Sequence, residues 1–90
     1  MILGLMEGTG IARLGEHRFP VRYWITVSID QRGKRGRGKV EMPSMDAVHL
    51  VANSQLTLEL EGTGSMNVLV VATALGPVVD VESTGPIPGY

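Results

Sequence analysis

The stretch Phe19–Asp30, FPVRYWITVSID, decides the fold class because apolar and polar residues alternate along its whole length. A period of two places every second side chain on the same face of a β-strand. One face then carries Phe19, Val21, Tyr23, Ile25, Val27 and Ile29. The other face carries Pro20, Arg22, Trp24, Thr26, Ser28 and Asp30. The pattern predicts a strand with one buried face, and it leaves Trp24 on the outward face.

Five further segments have strand-like patterns. Gln55–Glu61 alternates in the same way, with leucines at every second position. Met66–Ala74 is rich in Val and apolar on both faces, which predicts a strand covered on both sides; a buried helix is the alternative. Shorter candidates, bounded by turn or charged residues, are Gly8–Leu14, Gly38–Met42 and Val78–Ser83. The short connections favour hairpins and a meander.

One short helix is expected at about residues 44–53, with Ser44 as its N-cap. It is expected to plug a barrel end or to cover a sheet face, and Trp24 is a candidate for what it covers. The predicted fold is therefore mainly β: a small antiparallel barrel or rolled sheet of about six strands with one short helix. Residues 1–84 are predicted to form a single β domain, and the Pro- and Gly-rich tail 85–90 is expected to be extended or loose.

Composition limits the functional classes. The chain has no cysteine, so a disulfide framework, a thiolate metal site and a thiol nucleophile are excluded. Aromatic residues make up 4% of the chain, which disfavours a stacking platform for bases. No apolar stretch has the length of a membrane-spanning helix, and the N-terminus lacks the features of a signal peptide. The expectation is a cytoplasmic protein without membrane attachment.

The main candidate binding feature is the run Arg32–Lys39, in which five basic residues are separated by glycines: Arg32, Lys34, Arg35, Arg37 and Lys39. On a flexible hairpin tip these cations would bind nucleic acid through its phosphates, with Arg22 and Trp24 on the adjacent face. The alternatives are another anionic partner or a solvated tip that only protects a sheet edge. The net charge of −1 and the absence of aromatics within the run favour the solvated tip.

Charge is distributed unevenly, because all eight basic residues lie between Arg13 and Lys39, whereas residues 42–90 carry only acidic charges. Either two copies associate through complementary surfaces, or folding mixes the two halves on one surface. The tetrapeptide Glu-Gly-Thr-Gly occurs twice, at residues 7–10 and 61–64, as two glycine turns or as the trace of a duplication.

Catalytic patterns are weak in this chain. His17 and His49 lie in different contexts, and no metal-ligand spacing or nucleophile motif accompanies them. No cofactor or metal is expected. The sequence favours a non-enzymatic interaction or assembly module that self-associates, with a dimer as the first expectation and Trp24 and Arg22 as possible interface residues. The alternative is a small barrel that binds nucleic acid through residues 32–39.

Overall fold

The computed structural model describes residues 1–62 and 64–90, and it confirms a mainly β chain with one short helix. The elements in chain order are β1 (Ile2–Leu14), β2 (His17–Asp30), β3 (Gly33–Glu41), α1 (Met45–Val51), β4 (Gln55–Leu60), β5 (Gly64–Thr73) and β6 (Val78–Ser83). All strand pairs are antiparallel. Within the described residues, no helix has the length and apolar character needed to cross a membrane.

The strands close into a barrel in the order β1-β2-β3-β6-β5-β4. Hairpins join β1 to β2, β2 to β3, β4 to β5 and β5 to β6, in agreement with the hairpins and meander that the short connections favoured. Two three-stranded meanders, β1-β2-β3 and β4-β5-β6, are linked by α1, and the barrel closes where β3 pairs with β6 and β1 pairs with β4. Closure pairs the two outer strands that an open six-stranded sheet would leave as edges, although β1 pairs with β4 only from Gly10 to Arg13.

The barrel interior is filled by the inward side chains that alternation predicted. Val21, Tyr23, Ile25 and Val27 of β2 are buried, and so are the three leucines of β4. Branched residues of β3, β5 and β6 complete the core, among them Val40, Val68, Val70, Val79 and Val81. Because aliphatic side chains dominate, the interior is a packed core and not a ligand cavity.

Helix α1 begins where predicted, since the Ser44 side chain accepts a hydrogen bond from the Ala47 N–H at 3.1 Å. Its apolar face places Ala47, Val48 and Val51 in the barrel core. Six paired strands enclose that core, so the helix reaches it through a barrel end. The helix does not cover Trp24, which lies on the outward row of β2 beside Arg22.

Two expectations about exposure need correction. Segment β5 is a strand, but it is not covered on both sides: Val68 and Val70 are buried, whereas Leu69 and Val71 of the outward face are 38% and 42% exposed. The tail 85–90 is not loose, since Ile87 is only 7% exposed within the core cluster. Within the tail, the Tyr90 N–H donates to the Ile87 carbonyl oxygen at 3.1 Å.

The two Glu-Gly-Thr-Gly segments occupy different structural positions. Residues 7–10 lie within β1, whereas residues 61 and 62 form the turn after β4 and Gly64 begins β5. Thr63 lies outside the described residues. The two-turn interpretation is therefore wrong for residues 7–10, which lie inside a strand, and the unequal positions of the two segments give no support to a duplication.

Candidate interaction surfaces

The basic run is part of the barrel wall and not a flexible tip. Only Arg32 lies in the turn, where its N–H donates to the Asp30 carboxylate at 2.7 Å. The other four cations belong to β3, which pairs with β2 from Gly33 to Glu41. The predicted strand, Gly38–Met42, was shorter than β3 because Lys, Arg and Gly have low strand propensity. Pairing with two neighbouring strands overrides that propensity.

Acidic residues of β6 neutralise part of this basic run. The Arg37 Nε lies 3.1 Å from a Glu82 carboxylate oxygen, and the Lys39 Nζ lies 2.6 Å from an Asp80 carboxylate oxygen. These pairs follow from the register, in which Arg37 opposes Glu82 and Lys39 opposes Asp80. The Lys34 ammonium donates to the Tyr90 backbone carbonyl. Among the described residues, only Arg32 and Arg35 of the run have side chains without such a partner.

Arg22 and Trp24 lie beside the basic strand on the same outward face. The Arg22 guanidinium carbon is 5.4 Å from the centroid of the Trp24 ring, a cation–π contact. Trp24 opposes Lys39 across the β2–β3 ladder, and Ser28 opposes Arg35. Arg22, Trp24 and Arg35 therefore share the outward face, with Arg35 four residues along the ladder from Trp24, and the turn holds Arg32 beyond the end of the ladder.

Folding mixes the basic and acidic halves of the chain. Besides the two pairs of β3 with β6, the Arg13 Nε lies 2.8 Å from a Glu59 carboxylate oxygen, and Arg18 reaches the same side chain at 3.4 Å. Each of these pairs is partly exposed to solvent, so each contributes at most about 1 kcal/mol to stability. The charge asymmetry along the sequence therefore does not produce two separate charged surfaces.

The two histidines lie on different elements and in different environments. His17 begins β2 and stacks on Phe19 with ring centroids 6.1 Å apart, whereas His49 is exposed on α1. Over residues 1–62 and 64–90, no three His, Cys, Asp or Glu side chains are grouped in a way that could hold a metal ion.

An apolar cleft of about 610 Å³ lies on the outside of the barrel where β1 passes between β2 and β4. Ile11, Pro20 and Pro43 contribute apolar lining, and Glu41 and Glu61 are also in its wall. The Glu61 carboxylate accepts a hydrogen bond from the Thr9 hydroxyl at 2.7 Å. The cleft is lined by residues from four separate strands or strand ends, and no pattern in the sequence predicted that these residues would lie together.

Strand β1 extends well beyond its contact with β4. It pairs with β2 along nearly its whole length, from Ile2 to Leu14, but with β4 only from Gly10 to Arg13. In the described part of the chain, residues 2–9 of β1 thus have a ladder partner on one side only. We call residues 2–8 the β1 edge.

The β1 edge is apolar and accessible. Its outward residues Ile2 and Leu5 are 71% and 60% exposed. The C-terminal tail touches the edge at one point, where the Tyr90 side chain packs against Gly4, and a cleft of about 350 Å³ lies between Leu5, Met6 and Glu7 and the tail residues Pro88 and Tyr90. The tail makes no backbone hydrogen bond to the edge among the described residues. This surface was not among the predicted interaction surfaces, although the apolar run at residues 1–6 was its signal in the sequence.

Comparisons of this chain with protein-family models, with curated proteins and with solved structures found no match.

Proposed function

We propose that this protein is a non-enzymatic interaction and assembly module that self-associates, with a homodimer as its simplest form. The observation that carries the proposal is the exposure of large aliphatic side chains on regular strands of the barrel, on β1 and on β5. Scattered apolar residues are ordinary on protein surfaces, but aliphatic side chains clustered on a strand with an unpaired edge favour association. Association would remove these side chains from water and stabilise a domain with a modest core.

Size-exclusion chromatography with light scattering tests this proposal at tens of micromolar protein. The expected mass is twice the 9.6 kDa of one chain, with a shift towards the monomer on dilution. A mass of 9.6 kDa at every concentration would refute self-association.

A second candidate function is binding to nucleic acid through the outward face of β2 and β3. Its support is the cation–π pair of Arg22 and Trp24, which shares the outward face of the sheet with Arg35 four residues further along, opposite Ser28. Against it stand the ion pairs of Arg37 and Lys39, because a phosphate would have to compete with the carboxylates of β6. We therefore rank it below self-association.

Fluorescence anisotropy of labelled single- and double-stranded oligonucleotides separates the two candidates. If the second candidate holds, binding falls steeply with salt and is lost when Arg35, Arg37 and Lys39 are replaced by serine. If self-association is the function, the protein does not bind these probes even at low salt, and the serine variant keeps the mass of the unmodified protein.

A further inference from the structure

We infer that the β1 edge is the self-association surface, and that two copies pair antiparallel through residues 2–8 to form one sheet across the dimer. This inference rests on the proposed function and identifies the residues and the partner that it requires. The partner is a second copy of this chain.

The hydrogen-bonding capacity of the edge follows from the β1–β2 ladder. Leu14 and His17 flank a two-residue turn, and such a turn is closed by a pair that exchanges both backbone hydrogen bonds. Pairs alternate in an antiparallel ladder, and no irregularity interrupts this one between Leu14 and Gly4. From Gly4 to Leu14, residues at even positions of β1 therefore make backbone hydrogen bonds to β2. The backbone N–H and C=O groups of Leu5 and Glu7 point away from β2. These groups can pair with another strand.

The edge has few of the features that normally prevent pairing between sheets, and those few lie at its start: a register shift between Ile2 and Gly4, and the Tyr90 side chain against Gly4. Natural edge strands are protected by lysines, by proline, by covering segments or by being very short. The sequence of the β1 edge, ILGLMEG, contains one charge, Glu7, and no proline. The register shift lies at the end of the strand away from its pairing with β4, and the β1–β2 register is regular from Gly4 onwards. An accessible strand of this composition is a template for another strand.

A second copy can supply hydrogen-bond partners for the unpaired backbone groups of the edge, because a two-fold axis pairs the same residues from both chains. A two-fold interface is self-complementary and closed, so dimerisation removes both free edges at once. In a register centred on Leu5, the two exposed Leu5 side chains become cross-strand neighbours, and each Glu7 opposes Leu3 of the other chain. The two Glu7 carboxylates are then four residues apart along the ladder, at roughly 13 Å. A register centred on Glu7 would instead oppose like charges directly.

The cleft beside the tail provides room for side chains of the incoming strand. Its 350 Å³ lie between the β1 edge and residues 88–90, with Tyr23 and Glu61 also in its wall. A strand added to the edge would direct alternate side chains towards this cleft and the others towards the outside. The apolar Met6 of each copy belongs to the row that faces the cleft, since Met6 opposes the buried Ile25. Burial of these methionines and leucines would add apolar contact to the backbone hydrogen bonds.

The variant Leu5→Lys tests the inference by placing a charge at the centre of the edge. The side chain of Leu5 is outward and largely exposed, so a lysine is compatible with the folded monomer. Leu75→Lys is the matched control, because Leu75 is 96% exposed in the β5–β6 connection. Leu69→Lys places the same charge on the competing apolar surface of β5. Thermal unfolding of each variant checks that the barrel is folded.

Light scattering at tens of micromolar gives distinguishable outcomes. The inference predicts a monomer for Leu5→Lys and dimers for the unmodified protein, Leu75→Lys and Leu69→Lys. If Leu5→Lys stays dimeric, the β1 edge is not the interface and the inference is overturned, although the proposed function stands. If the unmodified protein is itself monomeric, both the proposed function and the inference fail.

Discussion

Replacement of Gly38 by alanine tests whether the basic run is a packed strand or a flexible loop. A Cβ at this position would meet the Trp24 carbonyl oxygen far inside contact distance and the Ile25 Cα at 2.7 Å. Both atoms belong to the backbone of β2, so a side-chain rotation cannot relieve the contact. The β2–β3 ladder itself must shift, which weakens the register that pairs Arg37 and Lys39 with β6.

The expected cost of Gly38→Ala is about 1–3 kcal/mol, the range for forcing an extra methyl group into a well-packed site. Alanine also restricts the unfolded chain, which offsets this cost by about 0.4–1 kcal/mol. A net loss of about 1 kcal/mol lowers the Tm of a domain of this size by roughly 4–8 °C. Urea unfolding and thermal unfolding followed by circular dichroism both measure the loss.

Gly85→Ala is the matched control, because a Cβ built there meets no atom of the described residues within 4 Å apart from its chain neighbours, and the residue has no left-handed φ. Its Tm should be unchanged or slightly raised. Equal Tm values for the two variants would refute the close approach of β2 and β3 at Gly38, and would restore the flexible-loop interpretation of residues 32–39.

Three further predictions concern stability. Ile87→Ala should cost about 2–5 kcal/mol by urea unfolding because the side chain is buried in the core; a loss below that range would show that the tail is not packed. Ser44→Ala removes the cap of α1 and should cost about 0.5–2 kcal/mol, while Ser65→Ala, on the exposed face of β5, serves as the control. The pKa of Tyr23 is raised above its ordinary value of 10.0, mainly because the phenol is buried and to a smaller extent because of the nearby Glu61 carboxylate. The folded chain therefore holds this proton more tightly than the unfolded chain, so the resulting stabilisation is complete below that pH and is lost as the pH rises further. Tyr23→Phe should lose this part of the pH dependence, and an unchanged slope would contradict it.

Alternation predicted the strands whose one face is buried. The pattern in Phe19–Asp30 and the leucines of β4 correspond to the buried rows, and Ser44 caps the helix as its position before Met45 suggested. These features are local, because a side-chain period and a cap depend on residues close in sequence. The sequence therefore predicted the fold class and most of the core.

Features that depend on distant pairing were not predictable from the sequence. The partners of Arg37 and Lys39 lie on β6, more than forty positions along the chain, so the neutralisation of the basic run required the register. The free edge arises because β1 and β4 differ in length and overlap only from Gly10 to Arg13. Ile87, an isolated apolar residue between two prolines, gave too little local pattern to indicate burial.

Amide hydrogen exchange of the β1 edge tests self-association through this strand most directly. At protein concentrations that favour the dimer, the amides of Leu5 and Glu7 should exchange slowly, and on dilution their exchange should accelerate towards that of unpaired amides. The amides of Met6 and Gly8, which bond to β2, should stay protected at both concentrations and provide the internal control. Exchange at Leu5 and Glu7 that is fast and independent of concentration, in a protein that is dimeric by light scattering, would contradict pairing through the β1 edge.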